Sequence, residues 1–212
     1  DHARSGHGAV LATPETIAIM QTRYGADCAG RFEPLPYGEV VEVDGVRISL
    51  HPAGHILGSA QVRLAYRGEV AVVTGDYKRL PDRTAAPYEL VPCDLLVTEA
   101  TFGLPVFQHP DPADEIARLF RSLAGFPDRA HVVGCYALGK AQRVISLIRA
   151  TGYEAPIYLH GAMIRLCELY EAHGIPLGTL LPATEAAKVD LAGQIVIAPP
   201  SATKDRWSRR LP

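Results

Sequence analysis

The sequence predicts an α/β protein built in two parts. In the first part, strand-like runs flank the tight-turn dipeptides Asp44-Gly45 and Arg67-Gly68. After Phe107, strand-like runs alternate with helical stripes, the pattern of a parallel sheet with crossover helices. The composition agrees: 212 residues, 48% hydrophobic, 21% charged and 7% aromatic, suit one domain or two small ones and argue against a disordered chain.

Thr13-Pro14-Glu15 starts a helix, because Thr13 can cap and proline suits the first helical position. Ile17, Met20 and Tyr24 follow at helical spacing, and Gly25 ends the helix. Pro34 and Pro36 mark a loop. Residues 39–43 and 46–50 form a hairpin on Asp44-Gly45; residues 61–66 and 69–74 form a second on Arg67-Gly68. Residues 95–98 read as a short buried strand. Beyond Phe107, Ile116, Leu119, Phe120 and Leu123 make a helical stripe, and 131–135 a strand. Ala141, Val144, Ile145 and Ile148 make the next stripe, followed by a strand at 157–160. Met163, Leu166, Cys167 and Tyr170 make the third, and 195–198 a last strand. The change of pattern sets a boundary between residues 1–107 and 108–212.

Several function classes drop out. No apolar run approaches the ~20 residues of a membrane-spanning helix. The formal charge of −2 gives no global attraction to nucleic acid, so such binding would use a local patch. Gly134, Gly139 and Gly152 do not form the dinucleotide fingerprint. The four cysteines lie far apart without a CxxC pair, which suits reduced thiols and a cytoplasmic location. The chain begins with Asp1 and opens directly on motif-like residues, so an internal piece of a longer protein is expected.

Four stretches carry chemistry: Asp1-His2, Pro52 to Ala60 around His55, Thr74-Gly75-Asp76-Tyr77, and Thr98-Glu99-Ala100-Thr101-Phe102-Gly103. They sit at strand ends or in glycine-rich turns, where functional groups are displayed. Histidine and aspartate together suit zinc or manganese. A carboxylate that bridges two ions makes a site able to activate water and neutralise a phosphodiester. Singly, each stretch also has an ordinary reading: a hydrogen-bonding His55, a turn at Gly75-Asp76, Glu99 as a cap or ion-pair partner.

Order and flanks together resemble the metallo-β-lactamase superfamily, and within it the β-CASP nucleases. Asp1-His2 resembles the last two residues of the family's His-x-His-x-Asp-His motif, whose two leading histidines are absent here. The loop Gly54-His55-Ile56-Leu57-Gly58-Ser59-Ala60 resembles the motif with a metal-ligating histidine, and Gly75-Asp76 the motif with the bridging aspartate. Glu99, 23 residues after Asp76, resembles the first β-CASP acid, and Tyr136 to Gln142 the start of the β-CASP insert. The stretches His7 to Thr16, Gly75 to Arg79 and Ile157 to Met163 are most similar to bacterial exonucleases of this fold associated with an ATP-dependent DNA ligase.

The resemblance implies an incomplete αββα metallo-β-lactamase sandwich over residues 1–107, followed by a truncated β-CASP-like α/β cap over 108–212. It implies two divalent ions, zinc or manganese. Asp1 and His2 hold one, His55 the other, and Asp76 both, while Glu99 orients a histidine or the attacking water. It implies a DNA exonuclease acting on single strands or duplex ends in repair, beside a ligase and away from membranes. Lys78 and Arg79, with Arg83 nearby, are candidate phosphate contacts, or a solvated loop. The alternatives are an RNA-processing nuclease of the same family and a metal-free nucleic-acid-binding relative. With the leading histidines and the two late β-CASP histidines missing, the chain alone is expected to be inactive. His7 is a candidate for orienting His2. His51 and His160 read chiefly as structural. Lys204, Arg206, Trp207, Arg209 and Arg210 combine cations with one ring, as single-strand binders or a solvated tail do.

Overall fold

The computed structural model describes residues 3–212; Asp1 and His2 lie outside the described residues. The chain divides into two compact units, Asp1–Phe107 and Gln108–Pro212.

The first unit is organised by a five-stranded sheet in the order β3-β4-β5-β6-β7. The strands are β3 (Val40–Val43), β4 (Val46–Pro52), β5 (Ala60–Tyr66), β6 (Glu69–Val73) and β7 (Leu95–Val97). Strands β3 to β6 are antiparallel neighbours, and β7 runs parallel to β6. Both hairpin turns put two successive residues at positive φ: Asp44 (50°) and Gly45 (80°), then Arg67 (51°) and Gly68 (92°). That turn matches the right-handed twist of the strands it joins. Arginine is an uncommon choice there, and the Arg67 guanidinium lies over the Tyr66 ring, 4.9 Å from its centroid.

Beside the sheet, β1 (Val10–Ala12) and β2 (Phe32–Pro34) form a parallel pair around α1 (Pro14–Tyr24). Thr13 caps α1 by accepting from Thr16 N at 3.2 Å, Pro14 opens it, and Gly25 stops it at φ 97°. Pro34 is therefore the last residue of a strand, where an edge proline costs no sheet hydrogen bond. Strand β1 runs straight into the helix start Thr13-Pro14 and β2 ends on Pro34, so proline signals mask both in the sequence.

Strand β7 forms where the sequence predicts one, but it is not buried. Leu95, Leu96 and Val97 are 60%, 54% and 50% exposed. Among the described residues the strand is the edge of its sheet and pairs with β6 alone. The apolar run reflects strand propensity without burial.

The second unit has a parallel sheet in the order β10-β9-β11-β8. Its strands are β8 (His131–Gly134), β9 (Ile157–Leu159), β10 (Leu180–Pro182) and β11 (Ile195–Ala198). The helices α2 (Pro112–Gly125), α3 (Lys140–Arg149) and α4 (Gly161–Ala172) alternate with the first three strands. Met163, Leu166, Cys167 and Tyr170 of α4 are buried, as are Ile145 and Ile148 of α3. Successive strand residues face opposite sides of a sheet. Val132, Tyr158 and Val196, paired across three strands, accordingly pack with Leu191, Trp207 and Leu211 in a separate cluster. The four cysteines are all free. Among the described residues, no helix is long and apolar enough to cross a membrane.

Candidate active site

Sheet register delivers three loops to one edge. Pro52 pairs with Ala60, so the 53–59 loop closes the β4–β5 end. Val62 pairs with Val73 and Val73 with Val97, so β6 and β7 finish beside that same end. The residues that follow them are Thr74-Gly75-Asp76 and Thr98-Glu99. Thr74 N donates to Val97 O at 3.0 Å, and the two threonine hydroxyls lie 3.4 Å apart.

The His55 loop is held by contacts that only glycine permits. Gly54 has φ 70°, and a Cβ there would sit 2.2 Å from Lys78 O. Gly58 has φ 73°, and its Cβ would sit 2.7 Å from Glu15 Cβ and 2.8 Å from Thr16 N. Both positions need a left-handed backbone and an absent side chain. The hydroxyls of Thr13 and Thr16 donate to Gly58 O at 2.8 and 2.9 Å, tying the loop to the start of α1. Within the loop, Ser59 Oγ accepts from His55 N at 3.0 Å and Ile56 N at 3.1 Å. Lys78 N donates to Ala53 O at 2.9 Å and ties the Asp76 segment alongside.

His55 Nε2 and Asp76 Oδ2 stand 3.8 Å apart, both side chains about one-third exposed. Burial pushes the imidazole below its ordinary pKa; Asp76 opposes that shift and Lys78 adds to it. A neutral imidazole keeps the lone pair that a metal ligand needs. Gly75, at φ 57°, turns the chain so that Asp76 follows directly. Glu99 accepts from Thr101 N at 3.0 Å. Hydrogen bonds from the Thr101 hydroxyl and N–H, and from Tyr77 N–H, hold its carboxyl below the usual range. Glu99 thus ties the end of β7 to the residue after Asp76.

The cations after Asp76 divide. Lys78 forms an ion pair with Asp82. The Asp82 carboxylate is 3% exposed and also accepts from Thr84 N at 2.9 Å and Thr84 Oγ1 at 2.7 Å. The Lys78 charge is therefore already engaged, and the exposed cations of the run are Arg79 and Arg83. Burial alone would raise the Asp82 carboxyl, but bonds from Lys78 and Thr84 hold it below its ordinary pKa. A carboxylate depressed in this way stabilises the fold above its unfolded pKa of ~4, and that stability is lost as pH falls through the folded value. Asp82→Ala should cost about 2 kcal/mol at neutral pH, since Lys78 keeps partial solvent contact. Denaturant melts should show the difference at pH 7 and its disappearance in strong acid.

Two of the expected metal residues, His55 and Asp76, come together, and Asp1 and His2 lie outside the described residues. Among the described residues, no three histidine, cysteine, aspartate or glutamate side chains group closely enough to hold an ion. The donors present fit one side of a zinc or manganese site: a half-buried neutral imidazole facing a carboxylate across 3.8 Å.

Other histidines have structural partners. His51 bridges Ser49 Oγ (3.0 Å) and Glu89 Oε1 (2.9 Å). His160 caps α4 through Nδ1, which accepts from Ala162 N at 3.1 Å. Trp207 packs in the Val196 cluster and meets the His160 ring edge-on at 4.8 Å, so its ring is partly spent on packing. Asp82, Thr16 and Ser59 escaped sequence reasoning; the Asp-x-Thr spacing at 82–84 was the available sign of a side-chain-to-backbone turn.

No protein-family model matches the chain. The chain is similar, at 32% identity over its whole length, to a protein of Opitutus terrae named "Probable DNA ligase", of which it spans 21%. It is 31% identical, over 64% of its length, to the "Endoribonuclease ysh1" of Aspergillus fumigatus, spanning 16% of that protein. It is 27% identical, over 65% of its length, to the "RNase aCSPSF2" of Saccharolobus solfataricus, spanning 29%. The chain thus covers less than a third of each relative's length. Together with the motifs, these likenesses support a place in the metallo-β-lactamase and β-CASP nuclease family.

Proposed function

We propose that the protein carrying this chain is a metal-dependent exonuclease that degrades DNA ends in repair, in company with an ATP-dependent ligase. The observation that carries this reading is the meeting of His55 and Asp76 at one sheet edge, with Glu99 hydrogen-bonded beside them. Residues 1–107 form the metallo-β-lactamase core and residues 108–212 the β-CASP cap. The relative named as a DNA ligase, similar along this whole chain, supports the ligase connection.

In this mechanism Asp1 and His2 would hold one divalent ion and His55 the other, and Asp76 would serve both. Such ions lower the pKa of water and neutralise charge on a phosphodiester. His55 presents its imidazole in the neutral form. Asp76 would supply the negative charge that offsets repulsion between two bound cations. Glu99 fixes the backbone after Asp76 and orients the acid–base machinery. Arg79 meets a substrate phosphate, while Lys78, bound to Asp82, shapes the loop beneath it.

The second reading, an RNA-processing nuclease, is favoured by the two relatives named as an endoribonuclease and an RNase. Labelled single-stranded DNA and RNA of one sequence, incubated with the complete protein and zinc or manganese, separate the two. Loss of DNA from its ends, stopped by a chelator, is expected. Faster cleavage of the RNA would replace the first reading with the second, and no cleavage of either would remove both.

Glu99→Gln should leave metal content near normal and lower single-turnover rate by about 100-fold. Metal loss would make Glu99 a ligand. A lowered melting temperature with a normal rate per folded molecule would leave it only its tie to Tyr77 and Thr101.

A further inference from the structure

We propose that Tyr37 is a positioning residue for His55, fixing through Ser59 the place at which the imidazole meets its ion. The proposal rests on the reading of His55 as a metal ligand and adds to it a residue outside the loop.

The loop needs such a tie. Gly54 and Gly58, both at positive φ, flank the segment that carries His55. Glycine leaves a backbone soft. A metal site tolerates only about 0.5 Å of error in a ligand's place. The order of the loop must therefore come from groups that do not belong to it.

Ser59 is where the loop is gripped. Its hydroxyl accepts from His55 N at 3.0 Å and Ile56 N at 3.1 Å, so the backbone of the ligand hangs on this side chain. Its carbonyl accepts from Ala53 N at 3.0 Å, which closes the loop, and from the Tyr37 hydroxyl at 2.8 Å. Two donors fill both lone pairs of that oxygen. Ala53 belongs to the loop and moves with it. Tyr37 lies 22 residues before Ser59 and holds the carbonyl from outside.

Tyr37 is itself rigidly presented. Pro36-Tyr37-Gly38-Glu39 is a turn closed by Glu39 N, which donates to Pro36 O at 3.2 Å. Gly38, at φ 77°, supplies the left-handed third residue that a type II turn needs. Gly38 N donates to Leu50 O at 2.9 Å and pins the turn on β4. On the other side Leu35 N donates to Ala12 O at 2.9 Å and pins the approach to the turn on β1. The phenol thus reaches from a fixed turn to the base of the His55 loop. Burial, with the Glu15 charge added, pushes the Tyr37 hydroxyl above its ordinary pKa, so it keeps its proton and stays a donor.

Tyr37→Phe removes the hydroxyl and keeps the ring. The complete protein, stripped of metal, is titrated with zinc against a chromophoric chelator. The variant should bind the His55 ion about 10-fold more weakly. Its metal-free melting temperature should fall by only a few degrees. Ser59→Ala should weaken zinc at least as much. Adding Tyr37→Phe to Ser59→Ala should cost less than about 3-fold more, because the hydroxyl through which Tyr37 acts is already gone. Unchanged zinc affinity in Tyr37→Phe, whatever its melting temperature, would leave the tyrosine a merely structural role and overturn the proposal. Fully additive losses in the double variant would overturn it too. His55→Ala checks the metal reading separately and should remove one bound zinc ion. Full zinc content in His55→Ala would overturn that reading, and the proposal with it, whatever Tyr37→Phe does.

Discussion

Asp76→Asn should lower nuclease activity of the complete protein by at least ~100-fold and reduce its metal stoichiometry. The substitution keeps the shape of the side chain and removes its charge. A carboxylate between two cations offsets their mutual repulsion, and an amide does not. The Asp76 side chain is about one-third exposed and lies at a strand end, so the fold should tolerate the change within ~0.5 kcal/mol. That separation makes the measurement decisive. Ion content by elemental analysis, single-turnover rate and melting temperature are read on one preparation. Unchanged stoichiometry and rate would make Asp76 an ordinary turn residue.

Gly54→Ala should have the largest effect on the fold of the first unit. Alanine at φ 70° costs roughly 1–2 kcal/mol on backbone grounds alone. The Cβ would then lie 2.2 Å from Lys78 O, a backbone atom that a rotamer change cannot move. The Asp76 segment must shift away from the His55 loop, and the Lys78 N to Ala53 O bond with it. A total near 4 kcal/mol is expected, with a fall in melting temperature of roughly 10 °C. Gly68→Ala is the control. It also has positive φ, 92°, but meets nothing within 4 Å, so it should show the backbone cost without the displacement. Equal losses in the two variants would mean that the Lys78 contact yields easily.

These two residues also show how far the sequence carries. The spacing of Gly54, His55 and Gly58 was legible as a motif, and its flanking hairpins were legible from Asp44-Gly45 and Arg67-Gly68. All of this is local chemistry, in which neighbours along the chain decide the backbone. The reason for the glycines was not legible, because Lys78 O and Thr16 N approach from distant parts of the chain. Lys78 shows the same limit. Its position after Asp76 suggests a phosphate contact, and only the fold reveals Asp82 beneath it. The helices of the second unit were readable because Met163, Leu166, Cys167 and Tyr170 keep one face inward over two turns. Strands β1, β2 and β10 were not, although β7 and β9 are equally short: Pro34 and Pro182 end β2 and β10, and β1 leads directly into Thr13-Pro14, so proline signals hide all three. Burial of β7 was misjudged because an apolar run reports strand preference, whereas exposure depends on what lies over the sheet.

That exposed strand bears on handling the protein in solution. Among the described residues β7 is the edge strand of its sheet, with Leu95, Leu96 and Val97 exposed and no further strand beside it. Such an edge is a template on which another chain can add as a strand. Preparations of this chain should therefore self-associate as concentration rises, with a growing scattering mass and a β-rich spectrum. Leu96→Lys places a charge on the edge without touching a buried contact. It should hold the protein monomeric at concentrations where the parent aggregates, and a variant that clumps as readily would place the sticky surface elsewhere.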